Sequence, residues 1–134
     1  MNIKLSLAAR NAMGQALVTE MGTGAVVNFY SGSIPSTTGG AITSQTLIAT
    51  CALSSVAGSV SAGAVTFSAV SDDISADATA TIGFGRILNG SGAFFMDADA
   101  GISSSSPFWT FNTTGALQGG LVRINSAVLN INNG

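Results

Sequence analysis

Short runs of apolar and β-branched residues recur along this chain, each cut off by Gly, Ser, Asn or Pro before it could complete a helix of ordinary length. The spacing predicts strands over 25–30, 46–53, 64–70, 78–88, 93–96 and 107–111, and a closing alternating strand over 121–131. Asn89-Gly90-Ser91-Gly92 is a hairpin signal, because these residues tolerate the backbone angles that tight turns demand. Gly83 and Gly85 interrupt the fourth run, where a bulge or a close backbone approach is expected. Many short strands with small residues between them define a mainly β fold, a β-sandwich or jelly-roll-like barrel.

One segment departs from this rhythm. Ser6 to Met21 predicts a short N-terminal helix, with Ser6 as N-cap and Gly22 and Gly24 as the stop. Ala9, Met13, Ala16, Leu17 and Met21 form an apolar stripe at helical spacing. Gly14 weakens such a helix by about 1 kcal/mol relative to Ala, so it needs packing to hold it. Residues 1–24 are therefore expected either to cover a sheet or to act as an arm that reaches a neighbour, with 25–134 as a single β-domain.

The polar chemistry is sparse. Of 134 residues only 7% are charged, and there is no His. Lys4, Arg10, Arg86 and Arg123 are the only basic side chains. This excludes a His-based catalytic triad, a His metal site and a basic nucleic-acid footprint. About half the chain is Ala, Gly, Ser or Thr, so hydroxyls and amides must supply most of the polar surface. Such a surface meets another protein without the desolvation cost of many charges, and suits permanent assembly. A monomer with a hydroxyl-rich coat is the alternative.

Cys51 is the only cysteine and lies in Leu47-Ile48-Ala49-Thr50-Cys51-Ala52-Leu53, where a buried structural thiol is expected. The N-terminus lacks a signal-peptide pattern, since Arg10 interrupts the apolar stretch begun by Leu5-Ser6-Leu7-Ala8-Ala9. No uncharged apolar run reaches the roughly 18 residues of a membrane span.

Four constellations invite a chemical reading. Asp97-Ala98-Asp99-Ala100-Gly101 has the alternating oxygens that open a calcium loop, but the twelfth position holds Phe108 where a closing Glu belongs. A turn between strands is expected there instead. Asp72, Asp73 and Asp77 offer carboxylates for acid–base work, yet no aromatic or basic partner is near in sequence, which favours a solvated loop or a turn cap. Asn112-Thr113-Thr114 is a glycosylation sequon with no accompanying sign of secretion. Phe94, Phe95, Phe108, Trp109 and Phe111 are the densest aromatic group and read as core. Either Phe108 points inward with Thr110 outside, or Trp109 and Phe111 take the core side. No catalytic, cofactor-binding or metal-binding residue is expected.

The order of the N-terminal helix, then Val27-Asn28-Phe29-Tyr30-Ser31-Gly32-Ser33-Ile34-Pro35, then Leu47-Ile48-Ala49-Thr50-Cys51-Ala52-Leu53-Ser54, resembles small virion proteins of tailed bacteriophages and prophages. The resemblance continues through 72–84, where Ser75-Ala76-Asp77-Ala78-Thr79-Ala80-Thr81 precedes a strand with an aromatic residue and Arg86, and fades after Asn112. It implies a β-rich, non-enzymatic part of the particle, first of all a capsid decoration (cement) protein. On that reading the chain is made in the bacterial host cytoplasm and sits on the capsid surface as a homo-oligomer, a trimer by preference. Its partner is the major capsid protein, with no nucleic acid, membrane or cofactor involved. A head–tail connector or tail component is the alternative within that class, and a carbohydrate- or receptor-binding module using Trp109 and Tyr30 is the alternative outside it.

Overall fold

The computed structural model describes residues 3–67 and 70–131. Helix α1 spans Leu7–Met21. The Ser6 side chain accepts a hydrogen bond from the Ala9 N–H, as its N-cap position predicts, and Gly22 ends the helix at φ 66°, a backbone state that a β-carbon would strain. Of the two roles expected for residues 1–24, the structure shows the covering one: α1 packs on a sheet of its own chain. Met1 and Asn2 lie outside the described residues.

The buried face of α1 keeps only part of the expected stripe, with Met21 fully buried and Ala9 and Leu17 half-buried. Gly14, Val18 and Met21 are buried, whereas Met13 and Ala16 are exposed. Gly14 explains the rotation. A methyl group there would lie 2.9 Å from Val60 Cγ1 and 3.1 Å from Val65 Cγ2, so the helix backbone itself is the point of contact. The residue that weakens the isolated helix is the one that lets it dock.

Nine strands follow among the described residues: β1 Val26–Ser31, β2 Leu47–Ala52, β3 Gly58–Ser61, β4 Ala64–Phe67, β5 Ala80–Leu88, β6 Phe94–Ile102, β7 Trp109–Phe111, β8 Gly115–Ala116 and β9 Val128–Asn130. The fold is mainly β with one N-terminal helix, as expected. A curled sheet has the order β2-β1-β5-β6-β7, with β8 added to β5, and a second sheet has the order β3-β4-β9. Every pairing is antiparallel except β6 with β7.

Register sorts the side chains of the large sheet by face. Val27 stands opposite Ile87 and Phe29 opposite Gly85. These positions face a core shared with Cys51, Val65, Phe67, Met21, Trp109 and Phe111. Of the two aromatic arrangements left open by the sequence, Trp109 and Phe111 take the core side, and Phe108 lies half-buried against the Trp109 edge. Gly85 makes room for this cluster: a methyl there would come within 2.7 Å of both Phe29 Cε1 and Trp109 Nε1. Gly83 is the residue skipped where β1 and β5 change register, so the expected bulge and close approach are both present. The β5–β6 hairpin closes on Asn89, whose Oδ1 accepts from the Ser91 and Ala93 N–H groups.

Three expectations need correction. Asp97–Gly101 is not a turn but the middle of β6. Alternation sends Ala98 towards the core and Asp97 to the opposite face, where it meets Arg86 across the strand pair, so ion pairing offsets the low strand preference of Asp. The closing segment is not one long strand. Val122 bridges Asp73, Ser126 bridges Thr110, and only β9 joins β4, because the chain passes three different neighbours in turn. Strand β3, which pairs with β4 as a hairpin, has no counterpart among the expected strands, since Ser59-Val60-Ser61-Ala62-Gly63 carries little apolar signal. The expected strand over 64–70 is seen as β4, and Ser68 and Ala69 lie outside the described residues.

The edges of the large sheet are closed within the chain. Along β2, the Thr50 N–H donates to Asp73 Oδ2 at 2.9 Å and the Ala52 N–H to Ser71 Oγ at 3.0 Å. The Ala52 and Ile48 carbonyls accept from the Ser71 and Asp77 N–H groups. Beside β7, Thr110 exchanges main-chain bonds with Ser126 and Asn125. Strand addition by another chain at β2 is therefore blocked, and contacts there must run through side chains.

Candidate functional site

Two places concentrate features that folding alone does not require. The first is a tip made from two loops. Residues 73–76 and 117–122 are laced together by Asp73 N–H to Val122 O, Val122 N–H to Asp73 O, Ala76 N–H to Gly120 O and Gly119 N–H to Ala76 O, all between 2.7 and 3.0 Å. Gln118 N–H adds a bond to Thr79 Oγ1. From this rigid double loop Ile74, Leu117 and Leu121 project into solvent at 81, 71 and 56% exposure. A cavity of about 220 Å³ opens beside Leu121, walled by Ile82, Phe111 and Val122. At its rim Arg123 grips Asp72 through Nε and Nη2, the latter at 2.7 Å from Asp72 Oδ2. Those hydrogen bonds hold the Asp72 carboxyl below its ordinary range and push the Arg123 guanidinium up.

The second place lies on the other face of the large sheet, beneath the loop that joins β1 to β2. Arg86 Nε and Nη2 each donate to one Asp97 oxygen at 2.7 Å, with both side chains nearly excluded from water at 9 and 7% exposure. Arg86 Nη1 also donates to the Gly40 carbonyl at 3.0 Å, and the guanidinium lies 5.1 Å from the centre of the Phe94 ring. The Asp97 hydrogen bonds raise the Arg86 pKa against the opposing effect of burial. Pairing is what makes this burial tolerable, since a lone charge here would be strongly disfavoured. Between the loop and β6 lies a cavity of about 320 Å³ lined by Ile34, Pro35, three hydroxyl side chains and Phe94 to Asp97.

The other candidates disperse. Asp99 Oδ1 accepts from the Phe108 N–H, 9 residues on, and Asp97 is committed to Arg86. Asp73 is a double cap, accepting from Ser75 N–H through Oδ1 and from Thr50 N–H through Oδ2. Asp72 has the basic partner that local sequence did not offer, in Arg123, 51 residues away. Cys51 is fully buried, and desolvation pushes its thiol up to about 11. Asn112 is exposed and accepts from Asn125 Nδ2. Trp109 has no exposed surface and Tyr30 stacks on buried Phe84 at 5.4 Å, so these two rings form no shared outer platform. Among the described residues no group of three His, Cys, Asp or Glu side chains converges as metal ligands, and no helix is long and apolar enough to cross a membrane.

Sequence reasoning missed both places. The signal for the tip was two isolated leucines flanking Gln118-Gly119-Gly120, a turn with no core to fill. The signal for the buried pair was a single cation inside the apolar run of β5 facing an Asp-Ala alternation after a hairpin. Comparison with known proteins adds no relative: no protein-family model, no curated protein and no solved structure matches the chain.

Proposed function

We propose that this chain is a non-enzymatic structural protein of a tailed-phage particle, a capsid decoration protein that binds the major capsid protein on the outside of the head as a homotrimer. The observation that carries the reading is the apolar tip. Ile74, Leu117 and Leu121 stand exposed on loops that four main-chain bonds tie together, so these side chains fill no part of the core and are displayed for contact. The charge-poor coat supports the same reading, because few ions need be desolvated when such a tip is covered. The carboxylates Asp72, Asp73, Asp97 and Asp99 are each occupied by structural bonds, which leaves them poorly placed for acid–base chemistry. The resemblance to small virion proteins supplies the particle context.

Copy number tests the reading. Particles purified from the phage or prophage that encodes the chain should contain it in numbers on the order of hundreds, as a protein repeated over an icosahedral lattice must be. Quantitative mass spectrometry that finds on the order of a dozen copies would point to a connector ring, and absence from particles would overturn the virion assignment.

A further inference from the structure

We propose that the outward face of α1 is a contact surface for α1 of a second copy of this chain, the two helices running antiparallel about a twofold axis at Ala12. The inner side of α1 is buried at Gly14, Val18 and Met21, with Gly14 against Val60 of β3 and Val65 of β4. The outer side is exposed at Ala8, Ala12, Met13, Gln15, Ala16 and Thr19, none of them charged. A helix face left to water ordinarily carries charged residues. The one hydroxyl on this side is already satisfied, since Thr19 Oγ1 donates to the Gln15 carbonyl at 2.9 Å. Covering the face therefore desolvates little beyond the Gln15 amide.

Charge identifies the occupant. Two exposed charges flank the face, Lys4 ahead of the N-cap and Glu20 in the last turn. Neither has an ion-pair partner among the described residues. Both stand at the unfavourable end of their own helix, whose first turn holds no acidic residue and whose last turn holds no basic one. A cation thus meets the positive N-terminal pole and an anion the negative C-terminal pole. A second α1 laid antiparallel reverses this. Ala8, Ala12 and Ala16 follow one line at four-residue spacing, so a twofold axis at Ala12 sets Ala8 against Ala16 of the second copy and Ala12 against itself. The same count sets Lys4 against Glu20 of the second copy, so each charge meets its opposite. Methyl side chains let the two axes approach to about 8 Å. A parallel pair would place like charges together at both ends.

This surface uses none of the tip residues and goes beyond the assembly proposed above. A twofold contact does not close a trimer; it joins one trimer to another. With 15 residues α1 is about 22 Å long, and a strip of that length and about 10 Å width falls short of the about 1,200 Å² of a standard interface. Pairing of free chains is therefore weak and concentration-dependent, and it strengthens where several copies act together.

Cysteine cross-linking of the isolated full chain tests the register without particles, so its outcome is independent of the decoration reading. The native Cys51 is buried and does not compete. With oxidised glutathione, Ala12→Cys should form a disulfide-linked homodimer at least about tenfold faster than Ser104→Cys, an exposed control on the turn after β6. Ala8→Cys and Ala16→Cys should each link slowly alone and readily when mixed. Lys4→Glu should raise the thermal midpoint by suiting the helix pole, yet weaken association in sedimentation several-fold. Lys4→Glu/Glu20→Lys should restore association. Equal rates for Ala12→Cys and Ser104→Cys, faster linking of Ala8→Cys alone than in the mixture, or association unchanged by Lys4→Glu would overturn the proposal.

Discussion

Replacing Gly85 by Ala probes the aromatic packing inside the curl of the large sheet. The added methyl would lie 2.7 Å from Phe29 Cε1, 2.7 Å from Trp109 Nε1 and 2.9 Å from Trp109 Cδ1. Favourable carbon contacts fall near 3.5–4.0 Å, so each ring must retreat by about 0.8 Å or more. Neither ring has free space, because Phe29 and Trp109 are fully buried and Phe29 meets Phe111 edge-on at 5.1 Å. Overpacking of this kind costs about 1–3 kcal/mol, and two rigid rings place the variant at the upper end. Restricting the unfolded chain returns about 0.4–1 kcal/mol, which leaves a net loss of about 2 kcal/mol. For a chain of this size that is a fall of about 8 °C in thermal midpoint, read by circular dichroism and checked by urea unfolding with an unchanged slope. Gly115→Ala is the control: its methyl would meet only Thr113 Oγ1 at 3.7 Å and should change stability by less than about 0.5 kcal/mol. In Phe29→Leu/Gly85→Ala the two losses should fall short of additivity, since the smaller side chain yields space. A Gly85→Ala midpoint within about 2 °C of the parent would refute the packing argument.

Removing one partner of the buried pair, as in Asp97→Ala, leaves Arg86 charged and unpaired and should cost about 3–5 kcal/mol in urea unfolding, whereas Arg86→Met/Asp97→Leu should recover most of it. The Cys51 thiol, raised from 9.0 to about 11 in the folded chain, contributes stability that is complete below pH 9 and is lost as pH rises towards 11. Unfolding free energy should therefore fall between those values by about 2 kcal/mol more in the parent than in Cys51→Ala, and the native thiol should resist alkylation at pH 8. The Asp72–Arg123 pair has the opposite sign: its contribution is present above the ordinary carboxylate range and disappears as pH falls through the lowered Asp72 value, so Asp72→Asn should flatten the acid limb of a thermal-midpoint profile.

What the sequence disclosed was local. The Ser6 cap, the Gly22 stop, the Asn89 hairpin and the Gly83 bulge each depend on a few adjacent residues whose backbone preferences are strong. The strands β1, β2 and β5 were legible because their runs are apolar and β-branched. Long-range pairing was not. Asp97 reads as a turn residue until Arg86 stands opposite it, and Asp72 reads as solvated until Arg123 arrives from 51 residues away. Gly14 reads as a flaw until Val60 and Val65 are seen beneath it. The apolar tip was invisible for a related reason: exposure is a property of the fold, and Ile74 carries the same letter as buried Ile48.

Reconstitution on heads that lack the protein tests the decoration reading most directly. Ile74→Ser/Leu117→Ser/Leu121→Ser removes the apolar tip without touching a buried side chain, and the variant should fold with an unchanged thermal midpoint. Full burial of such side chains is worth about 1.5–3 kcal/mol each, so their exposed fractions together represent about 4 kcal/mol of contact, or roughly a thousandfold in affinity. The account predicts that parental protein fills the lattice at both low and high salt, because few charges hold it, while the triple variant leaves the heads bare at the same concentration. Equal occupancy by parent and variant in cryo-microscopy of those heads would contradict it.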